Sequence, residues 1–361
     1  AELAREVAGW ALVVLRRHGD SVDACTNAMQ ALAAAQPALP PGWPSNQDAG
    51  IVVHALQDYP GCHALQHHGL TLLARLPADA SALALCDSSG GGDGDEGEAV
   101  LALRGGGLAR VFTRLGVADL CLVALERHGG EDGDLVVDVC TLFQALAVAS
   151  REVKLLLVSE KAAGLWVTLL GRAELGAVTA VALLRTLAAL ITDDAEAKAA
   201  AGAMEGLLAT LVRRAHLCEE LDVEEAAQKA SGELAEIFGL LVRLTARSPE
   251  NKRRCLGAPR LAEAAAACCC RRGDQEAARL AAGGLLVNLC SGASPEGRDR
   301  AFGAGASEAA AALSAETGEG LHRMGEALAQ LLGQDAETAL VVVPGESAGA
   351  ARVGEGGGGG G

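Results

Sequence analysis

The chain has 361 residues, 50% of them apolar and only 2% aromatic, and carries a net charge of −16 from 46 acids against 30 bases. That content is too hydrophobic for a disordered chain. The acidic balance lacks the positive stripe that displaces counterions from DNA or RNA or docks on anionic lipid. The longest apolar stretch, from Ala177 to Ile191, is broken by Arg185, so no membrane span of about 20 apolar residues is expected. The partner these numbers permit is another protein; they leave the oligomeric state open.

Alanine and leucine dominate, and Ile51, Ile191 and Ile237 are the only isoleucines, a balance that favours helix over strand. Only five of the 30 bases are lysine, a bias first ascribed to GC-rich coding. Eleven cysteines are dispersed through helical patterns. They read as small core hydrophobes in a reducing compartment, cytoplasmic with the nucleus also open. The start at Ala1 reads as no signal peptide and as a fragment, a processed form or an incomplete gene model.

In chain order, residues 1–36 read as an N-terminal helical pair or cap. Residues 37–47, "PALPPGWPSNQ", read as a Pro-rich connector. Helical periodicity follows: Leu65, Leu72, Leu73 and Leu76 share one face, and Leu183, Leu184, Leu187 and Ile191 repeat the pattern. Val341, Val342 and Val343 are too short a run for a strand. A Gly- and Asp-rich insertion at 88–97 and an acidic one at 219–225 interrupt the array, and 335–361 reads as a disordered Gly-rich tail.

One phrase recurs: a leucine-rich helix, a polar loop, a few helical residues, a small-residue turn and another apolar helix. It runs from Phe143 to Leu170, Leu184 to Val212, Leu241 to Ala265 and Leu286 to Leu313, with a weaker copy from Leu70 that resumes at Leu103. The opening of the second helix is placed after Gly107, Gly164, Gly206, Arg260 and Glu308, at intervals of 57, 42, 54 and 48. Val287-Asn288-Leu289-Cys290 through Gly303-Ala304-Gly305 carries the phrase best. Over 48–334 the chain thereby resembles the armadillo-repeat family, with HEAT-like repeats as the close alternative. The resemblance implies an all-α fold, a right-handed α-solenoid of about six to seven helical units.

It also implies a function: a non-catalytic scaffold binding an extended or helical segment of a partner along the concave groove. The alternative is a structural or regulatory segment of a larger, for example kinase-linked, protein. In peptide-binding relatives an asparagine clamps the ligand backbone, with a tryptophan one turn earlier in importin-α. The positions equivalent to the asparagine are Arg75, Ala145, Thr186, Arg243 and Asn288. One turn earlier stand Thr71, Thr141, Ala182, Gly239 and Gly284. Only Asn288 matches, and Arg75, Thr186, Arg243 and Asn288 are the candidate partner-binding residues.

Other constellations carry less. Arg213-Arg214, Lys252-Arg253-Arg254, Arg271-Arg272 and Arg298 with Arg300 form either a ladder for an acidic segment or ordinary solvated loops. His63 and His67, four apart, share a helix face but lack a third ligand at motif spacing, and His68 is placed toward the core. Cys268-Cys269-Cys270 cannot share one tetrahedral ion easily and reads as packing; a reactive thiol beside Arg271 and Arg272 is the alternative. Asp93, Asp95, Glu96 and Glu98 miss the EF-hand order. No phosphate-binding loop or nucleophile elbow occurs. No catalytic residue, cofactor or metal is therefore expected.

Overall fold

The computed structural model describes residues 2–39, 43, 45–87, 109–172, 174–219, 224–271, 275–292 and 294–333. The insertion expected at 88–97, the tail expected at 335–361 and the valine run before Pro344 lie outside them. So does most of the acidic insertion, of which Glu224 and Glu225 open a helix.

Eighteen α-helices carry the described part. They are α1 (Glu2–Arg17), α2 (Val22–Ala35), α3 (Asn46–Asp58), α4 (His63–Asp87), α5 (Val117–His128), α6 (Gly133–Ala149), α7 (Arg151–Leu157), α8 (Glu160–Leu170) and α9 (Ala177–Ile191). Then come α10 (Ala195–Ala203), α11 (Leu207–Glu219), α12 (Glu224–Thr245), α13 (Pro249–Gly257), α14 (Leu261–Cys270), α15 (Glu276–Cys290), α16 (Pro295–Gly303), α17 (Ala306–Ser314) and α18 (Glu319–Gly333). Residues 109–114 are also helical, and no strand occurs among the described residues.

From residue 150 onward the units have three helices each: a short first helix, a second and a longer third. The first helix starts the same way every time. Ser150, Asp194, Ser248 and Ser294 each accept a hydrogen bond from a backbone N–H of the first turn, and Glu152, Glu196 and Glu250 follow at the positive end of the helix dipole. Pro249 and Pro295 occupy the first helical position, where a missing N–H costs nothing.

Four turns into a second helix pass through a left-handed residue, whereas α8 opens from Ser159 in an extended conformation. Gly116, Gly206 and Gly305 supply it with φ of 72°, 80° and 92°. Arg260 supplies it at φ 64°, where its Cβ is strained. Two of the positions read from the sequence are thereby corrected: Gly164 and Glu308 lie inside α8 and α17, which open at Glu160 and Ala306. Gly107 lies outside the described residues.

Third helices pack side by side down the molecule: α2 on α4, then α6, α9, α12, α15 and α18. Second helices form a parallel row, α1, α3, α5, α8, α11, α14 and α17. That makes seven units around one continuous apolar core. The N-terminal pair is the first of them rather than a separate cap, because α1 packs on α3 and α2 on α4 despite the intervening prolines. Slim side chains let helices approach: a Cβ on Gly325 of α18 would stand 2.4 Å from the Ser314 backbone nitrogen. The few rings are anchors. Trp166 is buried against Phe143, ring centres 5.9 Å apart, and its Nε1 donates to the Leu157 carbonyl at 2.7 Å.

Candidate interaction surface

Two adjacent third helices, α6 and α9, leave a stripe uncovered, along which exposed residues recur every seventh position, two turns apart on one face. On α6 they are Asp134, Thr141 and Val148; on α9 they are Val178, Arg185 and Thr192. On α12 the less buried positions are Gly232, Glu236, Gly239 and Arg243. Val148 and Val178 are exposed to 88% and 71%, unusual for aliphatic residues in so apolar a chain. Between α9 and α12 lies a cleft of about 280 Å³ lined by Arg185, Ala188, Ala189, Thr192, Glu236 and Arg243. Arg185 Nε donates to Glu236 Oε1 at 2.7 Å across it, with the arginine largely in solvent. A larger, shallow hollow of about 540 Å³ lies on the other side, on α11 and α14 around His216, Arg260 and Glu263. It has neither the repeating stripe nor the exposed valines.

The four sequence candidates divide. Arg75 and Arg243 are exposed. Thr186 is wholly buried; its hydroxyl donates to the Ala182 carbonyl at 2.8 Å and accepts from Gln144 Nε2 at 3.0 Å. Asn288 is 4% exposed, and its Nδ2 donates to the Val242 carbonyl at 3.2 Å and to Thr245 Oγ1 at 3.3 Å. Both therefore tie one third helix to the next. Equivalent places in the repeated phrase do not share one face here, because the units differ in length. Arg185, which breaks the apolar run of its helix in the sequence, and Glu236, which no sequence motif marks, join Arg243 at the cleft.

The basic pairs also divide. Arg214 is buried and paired with Glu233, with Nη1 donating to the Arg172 carbonyl at 3.0 Å, whereas Arg213 beside it is exposed. Lysines play a part that composition concealed. Lys154 Nζ donates to the Thr192 carbonyl at 3.3 Å, Lys198 to Ala246 at 3.2 Å and Lys252 to Ser291 at 2.8 Å. Each ammonium thus reaches from a first helix to cap the negative C-terminal end of the third helix of its own unit. Three of the chain's five lysines are spent this way.

Cys268 and Cys269 are buried and Cys270 is exposed. Burial raises the Cys270 thiol above its ordinary range, with Glu308 adding to it against Arg279; this favours the packing reading over a reactive thiolate. Burial likewise pushes the thiols of Cys140 and Cys255 up to about 12.

At the N-terminal end, His63 and His67 on α4 converge on a residue from a different unit. His63 Nε2 lies 2.8 Å and His67 Nδ1 2.7 Å from Asp132 Oδ2. Asp132 Oδ1 accepts the Leu135 N–H at 2.9 Å and so caps α6. Burial opposes ionisation of Asp132, but the Leu135 N–H and the two histidines outweigh it and hold the carboxyl below its usual value. His68 is half-buried rather than in the core; burial lowers its pKa, with His67 and His63 adding to the effect.

No family model matches the chain, and no curated protein matches it. Solved structures do. A designed armadillo repeat protein aligns at TM-score 0.54 and 16% identity, over 79% of this chain and 99% of its own. The fold is armadillo-like. An engineered protein aligns at TM-score 0.53 and 15% identity, over 79% of this chain and 96% of its own. At such identities the likeness speaks for the fold alone. The stripe and the α9–α12 cleft both lie on the third-helix row. No described helix is long and apolar enough to cross a membrane.

Proposed function

We propose that the chain is a non-catalytic scaffold that binds an extended or helical segment of a partner protein along its concave face. The seven-residue stripe on adjacent third helices is the observation that carries this reading. It carries Val148, Val178 and Arg185, with Arg243 exposed on the next third helix. A partner segment fitting that surface has acidic side chains for the arginines and apolar ones for the valines, an arrangement giving both steering and contact area. Thr186 and Asn288 contribute by holding the third helices in register beneath it, and Arg75 extends the basic surface toward the N-terminus. The mostly buried thiols, and a cleft whose titratable groups are one arginine–glutamate ion pair and a second arginine with no histidine or cysteine among its lining, favour binding over catalysis.

The test is affinity purification of the full chain followed by mass spectrometry, compared with an R185E/R243E double variant. Both side chains are exposed, so the variant should fold as the wild type does, which circular dichroism and thermal melting check. The expected result is selective loss of one or more partners from the variant. Identical partner sets would overturn the concave-face placement.

A further inference from the structure

The three groups around Asp132 come from two helical units and stand at metal-ligand distance from one another. Their candidate ligand atoms, His63 Nε2, His67 Nδ1 and Asp132 Oδ2, all lie within 4.8 Å of each other. We propose that His63, His67 and Asp132 form a binding site for a zinc-class divalent cation, with a fourth position open to solvent.

The chemistry follows from the donors. Two imidazole nitrogens and one carboxylate oxygen make a borderline set that suits zinc, cobalt or nickel and disfavours magnesium and calcium, which take oxygen. Zinc bonds of about 2.0–2.1 Å in a tetrahedron place neighbouring ligand atoms about 3.3 Å apart. The present 2.7 and 2.8 Å separations therefore need to open by about half an ångström. That movement is within reach of side-chain rotation, because His63 is half-exposed and His67 about a third exposed.

The spacing places both histidines on one face of α4. The third ligand is pre-oriented, since Asp132 Oδ1 stays on the Leu135 N–H while Oδ2 faces the imidazoles, the kind of outer contact that fixes a metal-bound carboxylate. On binding, each imidazole turns a lone pair inward. His63 then carries its proton on Nδ1 and His67 on Nε2, so no proton need be lost. His128, whose ring centre is 5.2 Å from that of His63, donates through Nε2 to the Pro60 carbonyl at 3.2 Å and is left out of the set. The bound ion would tie α4 to the N-terminus of α6, two elements separated in sequence by residues 88–132.

The experiment uses the full chain, stripped with a chelator and titrated with Zn(II) and with Co(II). One ion per chain is expected, with a Co(II) absorption spectrum of nitrogen and oxygen ligation and no sulfur-to-cobalt charge-transfer band. Zn(II) should raise the melting temperature of the wild type. H63A/H67A should lose the site. D132N should bind at least about tenfold more weakly, while asparagine still caps α6, so its metal-free melting temperature reports intact folding. Absence of saturable one-to-one binding overturns the proposal. So does unchanged affinity in H63A/H67A, or a thiolate band that places the ion on cysteine.

Discussion

The two halves of the solenoid are held together by different chemistry. Before residue 150, units are joined through side chains that reach neighbouring loops: Tyr59 Oη donates to the Gly19 carbonyl and Gln57 to the Leu115 carbonyl. The histidines on Asp132 belong to the same set. After residue 150, the contacts are built into the repeat itself: a side-chain N-cap on each first helix, a lysine from that helix to the third-helix carbonyl of the same unit, and first-helix groups that join neighbouring units, Arg151 to Asp194 and Asn251 to the Lys198 carbonyl. Ten of the twelve buried polar or charged residues lie in this second half, so its interior is the more exacting. An apolar interface tolerates sliding, whereas a buried polar pair is satisfied in one register only. The comparison teaches that register is specified by paired groups after residue 150 and by individual reach-across contacts before it.

The strongest way to break that distinction is the buried pair of Arg214 and Glu233. E233A leaves the guanidinium buried with only backbone carbonyls, and a loss of about 3–5 kcal/mol is expected. Urea denaturation monitored by circular dichroism measures it. A loss below about 1 kcal/mol would mean that the second half does not depend on its polar interior.

The lysine staples should each matter less. K252M removes the contact with the Ser291 carbonyl while keeping the apolar stem, and about 1 kcal/mol is expected. Hydrogen exchange should locate the effect at the C-terminal end of α15. Protection lost evenly along the chain would argue against a local staple.

Asp194 gives a pH signature of comparable or smaller size. The Ala197 N–H holds its carboxyl below the ordinary value; burial opposes this, and Arg151 of the preceding unit adds to it. A depressed carboxylate stabilises the fold above its unfolded pKa of about 3.9, and that contribution disappears as pH falls through the lower folded value. Because asparagine also caps helices, the stability gap between wild type and D194N should be about 1 kcal/mol at neutral pH and close on acidification. Thermal melts across pH check it; a gap that persists in acid would rule out the charged contact.

The smallest effect has the opposite sign. R260G places glycine where φ is 64°, as its counterparts at Gly206 and Gly305 already do. A gain of up to about 1 kcal/mol is expected. A loss would show that the Arg260 side chain does more than occupy a turn.

The helical identity of the chain was legible in the sequence because apolar periodicity is a local signal. The repeat was legible because the same phrase returns, and the armadillo resemblance follows from it. Exact registers were not. Gly164 looks like a turn residue but sits in α8, since Ser159 starts that helix without a left-handed glycine. Asn288 looks like a ligand clamp in its motif; its burial depends on how closely α12 approaches α15, which one helix's sequence does not encode. Arg214 and exposed Arg213 are adjacent and chemically alike, and only packing separates them. His63 and His67 were visible as a pair, whereas Asp132 enters from another unit, 65 residues beyond His67 in the chain.

The central claim, that partners bind on the third-helix face, is tested most directly by site-specific photo-crosslinking. A photoreactive side chain is introduced one position at a time on the concave stripe, at Thr141, Arg185 and Arg243, and on the opposite row, at Glu160, Arg213 and Glu263. The account predicts crosslinked partner from the first three positions and none from the last three. Crosslinks from the second-helix row, with none from the stripe, would contradict it.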